Sequence, residues 1–173
     1  MQSRRLNLRQ ALDSDVDAIF EYACDPRVTT YAVWNRVTDK RQVHEYLSKV
    51  REGWNLGTEF TWFLCEQLHS PAIGAVAARV RGSDAELGFV LNPRYWNCGY
   101  TTEATAEVVR WLFTLPEVER IWATCDLENV ASSRVLEKVG LAAEGRVSEG
   151  MIRPNIGSEP REAMIYGASR TPA

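Results

Sequence analysis

Three short strand-like runs between residues 59 and 91 constrain the fold more than any other feature of the chain. Residues 59–66 are aromatic and alternating, residues 72–80 follow after one turn, and residues 85–91 follow after another. Connections this short join antiparallel neighbours, because a parallel pair needs a crossover of a dozen or more residues. The middle of the chain therefore predicts an antiparallel meander.

Helical and strand patterns flank this meander on both sides. The predicted order is a strand at 5–10, a helix at 13–25, a loop at 27–37, a helix from 38 or 39 to about 53, the meander, a loop at 92–99, a helix at about 101–113, a strand at 120–125, a helix at 129–139, a strand from 141 to about 153, a loop at 154–160 and a strand at 162–166. The order βααβββαβαββ mixes hairpins with crossovers. It predicts an α+β (mixed α/β) fold, a mixed sheet with helices on its faces. With 173 residues and no repeat or linker, the chain is expected to form a single domain over 1–173.

Composition and charge narrow the class of protein. A net charge of −3 and an apolar fraction of 45% indicate a globular protein and argue against a nucleic-acid binder. The apolar stretches fall short of the ~20 residues of a membrane span, and the first residues lack the apolar region of a signal peptide. Four widely spaced cysteines without a CxxC pair predict free thiols and a cytoplasmic protein. His44 and His69, the two histidines, lie beside no nucleophile, so we expect surface positions and no metal site.

The most informative segment joins the last strand of the meander to the helix at 101–113. It reads Asn92-Pro93-Arg94-Tyr95-Trp96-Asn97-Cys98-Gly99-Tyr100-Thr101-Thr102-Glu103-Ala104. Gly99 and Asn97 tolerate a left-handed backbone, and Thr101 and Thr102 offer hydroxyl donors. The helix start adds unpaired N–H groups and a partial positive charge, and such a loop can bind a phosphate. The alternative is a plain strand-to-helix connection, and no P-loop or GxGxxG pattern is present.

A second segment, residues 126–141, begins with polar residues and continues as a helix. Asn129, Ser132 and Leu136 lie one turn apart on a single stripe of that helix. Asparagine is a common helix cap, and Ser132 in the first turn can be a plain surface hydroxyl. Taken locally, the segment indicates no more than a capped helix.

Together the two segments resemble the GNAT N-acetyltransferase superfamily, in particular the branch of ribosomal-protein N-terminal (alanine) acetyltransferases. That branch shows Tyr-Trp-Gly-x-Gly-Tyr-Ala-Thr-Glu-Ala, which residues 95–104 match, and Asn-x-x-Ser-x-x-Val-Leu-Glu-Lys-x-Gly-Phe, which residues 129–141 match. Residues 6–9, 14–28 and 85–91 also fit, in the same order along the chain. Three positions depart from the patterns: Asn97 replaces a glycine, Thr101 replaces a smaller residue, and Leu136 stands where many members carry a general-acid tyrosine.

The resemblance implies a GNAT fold, a mixed and mostly antiparallel sheet whose central strands splay into a V. Acetyl-CoA would be the acyl-donor cosubstrate, and no metal would be required. Its pantetheine arm would pair with the backbone of strand residues 89–91 like an added strand. Its pyrophosphate would lie on the loop and the first helical turn. The cofactor-binding residues so implied are Phe89, Val90, Leu91, Asn97, Cys98, Gly99, Tyr100, Thr101, Thr102, Asn129 and Ser132.

The reaction that the resemblance implies is direct acyl transfer to a primary amine, either a protein N-terminus or a small molecule. Glu86 is the candidate base, with a solvated strand-face carboxylate as the alternative, and Ser132 is the candidate proton donor to the thiolate. Tyr31 and Trp34 lie where the family often lines its acceptor pocket, and core packing is their alternative. A noncatalytic acyl-CoA-binding or sensory module is the competing function. The sequence does not distinguish acetyl from a longer or succinyl acyl group, or a monomer from a homodimer.

Overall fold

A computed structural model describes residues 1–148 and 150–170 of the chain. The strands are β1 Asn7–Arg9, β2 Glu59–Cys65, β3 Gly74–Arg81, β4 Asp84–Leu91, β5 Arg120–Asp126, β6 Ala142–Val147 and β7 Ala163–Ser169. The helices are α1 Val16–Ala23, α2 Pro26–Thr29, α3 Lys40–Leu56, α4 Tyr100–Leu112 and α5 Val130–Lys138. Single 3-10 turns at Asp13–Asp15 and Pro93–Tyr95 complete the regular structure of these residues.

The short helix α2 is the one α-helix of the described residues that the sequence prediction lacks. The stretch 27–37 was expected to be a loop, but its start is helical. Pro26 suits the first position of a helix, and the Asp25 side chain accepts a hydrogen bond from the Arg27 N–H at 2.8 Å. The Asp-Pro pair that ends α1 therefore also caps the helix that follows.

Three predicted ends also move, one of them in β7, which ends at Ser169 instead of residue 166. α3 continues past Gly53 to Leu56, and it ends where Gly57 adopts a left-handed φ of 67°. β6 ends at Val147 instead of near residue 153, so the buried Arg153 belongs to the loop between β6 and β7. All the other predicted elements form in the predicted order.

The strands of the described residues form a seven-stranded sheet in the order β1-β2-β3-β4-β5-β7-β6. Neighbouring strands are antiparallel except β4 and β5, which run parallel. β4 pairs with β3 along its whole length, whereas it pairs with β5 only from Asp84–Arg120 to Glu86–Trp122. Beyond Glu86 the two strands separate into two arms, residues 87–91 and residues 123–126, and we call the space between them the cleft. The predicted fold class, a splayed and mostly antiparallel mixed sheet flanked by helices, is confirmed.

Two clusters of buried side chains cover the two faces of the sheet, and the side chains of β4 alternate between them. Leu87 and Leu91 pack with Val108 of α4 and Leu136 of α5 on what we call the α4–α5 face. Val90 packs against the cluster that α1 and α3 build on the opposite side, the α1–α3 face. Side chains two residues apart on a strand share a face, so this assignment extends along both arms.

The surface predictions can also be compared with the structure. Within the described ranges, no helix is long and apolar enough to cross a membrane, and no group of three or more His, Cys, Asp or Glu side chains is placed to hold a metal ion. Both histidines are exposed, as predicted. The prediction of free thiols is confirmed for Cys24, Cys65, Cys98 and Cys125.

Candidate active site

The backbone of β4 turns alternate peptide groups into the cleft. The Asn92 N–H donates to the Ile73 carbonyl at 2.8 Å, so the even-numbered residues of β4 direct their N–H and C=O groups toward β3. The odd-numbered ones, Phe89 and Leu91 among them, direct theirs into the cleft. This register corrects one expectation, because Val90 faces β3 and cannot pair with a molecule in the cleft through its backbone.

Trp96 connects the end of the β4 arm to the loop that follows it. Its indole Nε1–H donates to the Leu91 carbonyl at 2.8 Å. The carbonyl that was expected to pair with pantetheine is therefore already engaged. Of the three residues predicted for that pairing, Phe89 is the one that turns both backbone groups into the cleft without such a bond to a described residue.

The loop before α4 has the backbone geometry that the sequence predicts. Asn97 and Gly99 both adopt left-handed backbone, with φ of 62° and 78°. The first bond of the helix runs from the Glu103 N–H to the Gly99 carbonyl at 3.0 Å, so the N–H groups of residues 100–102 lie ahead of the helical ladder. No side chain of the described residues caps them. They form an open end for an anion, next to the exposed Cys98 and the half-buried Thr101 and Thr102.

Arg5 brings a positive charge to this loop, and the sequence analysis missed it. Its guanidinium lies 4.5 Å from the centre of the Tyr100 ring, and its Nη2 would be 3.5 Å from a Cβ on Gly99. Glu103 anchors it, because the carboxylate accepts from Arg5 Nε at 2.7 Å and from Ser3 Oγ at 2.7 Å. Burial raises the pKa of Glu103, but the hydrogen bonds from Ser3 and Arg5 lower it more, so the carboxylate is ionised.

α5 begins at the end of the β5 arm and carries the other predicted cofactor residues. The Asn129 Oδ1 accepts from the Ser132 N–H at 3.2 Å, so Asn129 caps the helix, as its local interpretation predicts. The Nδ2 group is the part of this amide that the implied contact with pantetheine would use. Ser132 is half-buried in the first turn, whereas Leu136 is buried in the core one turn later. Burial raises the pKa of the neighbouring Cys125 thiol to about 11.

The two predicted catalytic side chains lie on opposite faces of the sheet. Glu86 is the last residue of β4 that pairs with β5, so it lies at the base of the cleft, on the α1–α3 face. Ser132 belongs to α5 on the other face. The Glu86 Oε2 accepts from Arg79 Nη1 at 3.2 Å, and Arg79 also pairs with Glu59 at 3.0 Å. The structure therefore places the two on opposite faces of the sheet and does not bring them into contact.

A buried ionic cluster at the end of the β5 arm is a second feature that sequence patterns do not reveal. Asp126 is 3% exposed, and its Oδ2 accepts from Arg161 Nε at 2.8 Å, while Nε of the buried Arg153 lies 3.9 Å away. Burial raises the pKa of Asp126, but the hydrogen bonds from Arg161 and the Glu128 N–H and the charges of both arginines lower it more. The cluster ties a loop 35 residues further along the chain to this arm.

The two predicted acceptor residues lie on the segment between α2 and α3. Tyr31 is half-buried and Trp34 is 37% exposed, so Trp34 is not a core residue. Val28 and Val37 pack this segment onto the α1–α3 face, the face that Glu86 shares. An open cavity of about 400 Å³ lies beside it, lined by α2, by residues 35, 36 and 38 and by Asn155.

Comparison with known proteins defines the class to which this fold and site belong. Residues 5–142 match the family described as the Acetyltransferase (GNAT) domain. This match spans most of the chain, so the protein belongs to the GNAT acetyltransferase family, and the resemblance seen in the sequence is confirmed. It is an acetyltransferase, an enzyme of a family that transfers acetyl from acetyl-CoA.

Individual relatives support this assignment. The uncharacterized N-acetyltransferase YnaD of Bacillus subtilis is 31% identical over 145 residues, which cover 83% of this chain and 82% of YnaD. A GNAT-family acetyltransferase from Bacillus anthracis is 25% identical and has a TM-score of 0.84, with 98% of this chain and 97% of that one covered. RimL, a ribosomal L7/L12 alpha-N-protein acetyltransferase solved with coenzyme A, is 16% identical and has a TM-score of 0.85, with 96% and 95% covered. The fold thus agrees with the ribosomal-protein acetyltransferase branch.

Proposed function

We propose that this protein transfers the acetyl group of acetyl-CoA directly to a primary amine. The observation that carries the proposal is the cleft together with the start of α4. The cleft exposes backbone peptide groups of β4, and the N-terminus of α4, which follows β4 in the chain, has no side-chain cap. Acetyl-CoA has amide groups along its pantetheine arm and a pyrophosphate at the end of that arm. The peptide groups suit the amides, and the N–H groups of residues 100–102 suit the pyrophosphate.

The residues present fit this cosubstrate, which supplies an acyl group activated as a thioester. Phe89 would pair with the pantetheine arm through its carbonyl, which leaves its N–H for the acetyl group, and the Asn129 amide would bond the same arm. The pyrophosphate would lie on residues 97–102, where the left-handed Asn97 and Gly99 turn the backbone N–H groups toward it. Arg5 would add a cation beside that loop.

Transfer requires that the amine first lose a proton, because a protonated amine has no lone pair to attack with. Glu86, at the base of the cleft, would take this proton directly or through water. The new C–N bond forms as the C–S bond breaks, and Ser132 or solvent would return a proton to the CoA thiolate. The Phe89 N–H, which faces the cleft, would stabilise negative charge on the carbonyl oxygen. Positioning itself can supply up to about 7–11 kcal/mol of the barrier.

The acceptor would approach from the α1–α3 face. Glu86 and the segment that carries Tyr31 and Trp34 lie on that face, whereas the loop before α4 belongs to the other. A protein N-terminus and a small-molecule amine are both candidates, and RimL, by its name, acts on the first kind. We further propose that residues 1–173 act as one domain, and light scattering of the full chain tests whether that domain dimerises.

A screen for CoA release tests the proposed function. Acetyl-CoA is incubated with peptides that have free N-termini, with small monoamines and with spermidine, and the released thiol is measured with a chromogenic disulfide. The matched control for each peptide is the same peptide with a blocked N-terminus. We expect release with a free amine only, and mass spectrometry should find one acetyl group on the product. Binding of acetyl-CoA in calorimetry without release for any amine would instead indicate the noncatalytic module.

A further inference from the structure

Two segments approach each other, one that follows α1 and one between β6 and β7. α1 is anchored at the end of the β4 arm, because Glu21 accepts from Asn92 Nδ2 at 3.3 Å and pairs with Arg94 at 3.2 Å. The loop between β6 and β7 is anchored on the β5 arm. Its Met151 Sδ accepts from Thr124 Oγ1 at 3.5 Å, beside the ionic cluster of Asp126.

One side chain joins the two segments. Asn155 Nδ2 donates to the Thr29 carbonyl at 2.8 Å and to the Trp34 carbonyl at 2.9 Å. The Asn155 Oδ1 accepts from the Arg36 N–H at 2.9 Å. These partners lie 119 to 126 residues away in the sequence. The bonds therefore link parts of the chain that the sheet itself leaves on separate arms.

A carboxamide is suited to this bridge by its chemistry. It donates two hydrogen bonds and accepts at the same time, whereas a carboxylate only accepts and a hydroxyl donates one. The three bonds satisfy the carbonyls of Thr29, the last residue of α2, and of Trp34, and the N–H group of Arg36, where the chain after α2 forms no helix or strand. Without them, that segment would keep its packing onto the α1–α3 face, its local turn bonds and the bond from the Val37 N–H to the Ala23 carbonyl at 3.1 Å.

We propose that Asn155 is a positioning residue for the amine acceptor. It holds the segment of Tyr31 and Trp34 against the β6–β7 loop, so that one continuous wall spans the cleft on the face of Glu86. The inference rests on the proposed function of this site, in which these aromatic side chains contact the acceptor. Because its polar atoms are used within the protein, Asn155 acts through the wall that it holds.

The chemistry of the two joined segments agrees with such a role. They carry exposed apolar side chains, Val33 and Trp34 on one and Met151, Ile152 and Ile156 on the other. Glu86, on the same face, pairs with Arg79, and Asp126 of the β5 arm pairs with Arg161. Through its apolar side chains the wall would contact the uncharged part of an acceptor, so its placement would set the affinity for the acceptor more than the rate of the chemical step.

The test compares Asn155→Asp with Asn55→Asp in the full chain. Asn155→Asp keeps the shape of the side chain but turns carboxylate oxygens toward two carbonyls. Asn55→Asp introduces the same charge at an exposed residue of α3, outside the two segments. The readouts are hydrogen exchange of the Val37 amide, which donates to the Ala23 carbonyl at 3.1 Å, KM and kcat for the amine with the highest turnover in the screen, and the Kd of acetyl-CoA by calorimetry.

We expect Asn155→Asp to speed exchange at Val37 and to raise the acceptor KM by about tenfold to thirtyfold, which is the loss expected for two hydrogen bonds. The kcat and the Kd of acetyl-CoA should stay within about twofold, and Asn55→Asp should change none of the four readouts. If Asn155→Asp does not fold, Asn155→Ser, which keeps one donor, is compared in its place.

Three results would overturn the inference. Faster exchange with an unchanged KM would make Asn155 a structural residue only, and unchanged exchange would mean that the bridge does not hold the segment. If the unmodified protein acetylates no amine, the proposed function fails and the positioning role fails with it. The exchange measurement, which needs no acceptor, then still reports the bridge by itself, so the two failures are distinguishable.

Discussion

Replacing Gly99 with valine tests the loop before α4 at its most constrained residue. Gly99 has a φ of 78°, a left-handed conformation that costs an ordinary L-residue roughly 1–2 kcal/mol. Apart from the two neighbouring residues, the heavy atom nearest to a Cβ at this position is Arg5 Nη2 at 3.5 Å, at the end of a flexible side chain. We therefore expect Gly99→Val to act mainly through strain in the turn.

The size of the effect on binding follows from that strain. A strained loop relaxes away from the left-handed turn, and CoA must restore the turn when it binds. A cost of roughly 1–2 kcal/mol corresponds to a Kd for CoA that is about 5 to 30 times higher. We expect the unmodified protein to bind acetyl-CoA in the micromolar range, about −8 kcal/mol, and calorimetry resolves a change of this size. ATP, which lacks the pantetheine arm, is the comparison ligand.

Gly57→Val is the matched control for this experiment. Gly57 has a φ of 67° and nothing within 4 Å of a Cβ, and it ends α3. Both variants should lose similar stability in thermal unfolding, but only Gly99→Val should weaken CoA. An unchanged Kd in Gly99→Val, with the stability of both variants lowered alike, would refute the assignment of the phosphate to this loop. Binding of ATP without binding of acetyl-CoA would refute the choice of cosubstrate.

Further predictions concern the proton transfers, the thiols and the buried ion pairs. Glu86→Gln should lower turnover about 10²-fold with little change in CoA affinity. Glu59→Gln, which removes the other carboxylate that pairs with Arg79, should leave turnover unchanged. Equal turnover in the two variants would exclude Glu86 as the base. Ser132→Ala should lower turnover less, because solvent can also protonate the thiolate, and a change in the Kd of CoA alone would make Ser132 a cofactor ligand. Iodoacetamide at pH 8 should label the exposed Cys98 before Cys65 and Cys125, because both are buried and burial raises the pKa of each thiol to about 11; equal labelling rates by peptide mass spectrometry would contradict this. Asp126→Asn should reduce the free energy of unfolding by about 3–5 kcal/mol at pH 7, since it leaves buried Arg153 without its counter-charge, whereas Asp17→Asn on the surface should change it little. Since the folded pKa of Asp126 lies below its unfolded value of about 3.9, its carboxylate stabilises the fold above that value; this stability is lost as the pH falls through the folded pKa, so urea titrations should show a shallower acid limb in Asp126→Asn.

Local patterns predicted the strands of this protein and their order along the chain, whereas the splayed sheet was implied by the family resemblance. The missed helix α2 shows a feature that such patterns did not predict. Asp25-Pro26 indicates the end of a helix, and the same two residues also supply the cap and first position of a new one. At Gly53 the prediction chose the first glycine of α3 as its end. The structure uses Gly57, because only that residue follows the last turn with a left-handed backbone.

Some parts of the candidate site are formed by residues that are contiguous in the sequence, and others by residues far apart in it. The loop of Gly99 and the cap at Asn129 each lie within a short stretch, so their residue types and spacing were enough to predict both. Arg5 meets Glu103 98 residues away, and Asn155 meets Arg36 119 residues away. Neither contact leaves a spacing pattern in the chain, because each depends on how the sheet brings its ends together. Strand register, which separates Phe89 from Val90, likewise depends on the pairing partner.

The two arms of the cleft pair more extensively with their outer neighbours than with each other. Each arm is held along its whole length by an antiparallel partner, β3 for residues 87–91 and β7 for residues 123–126, whereas only a short parallel stretch draws the arms together. Both arm ends are also tied outward, by Trp96 to the loop before α4 and by Asp126 to the β6–β7 loop. The arms therefore need not separate when a ligand arrives, and binding avoids the ordering cost that a closed sheet would impose. Bridging the acceptor side through Asn155 then orders the wall without closing the cleft along the strands.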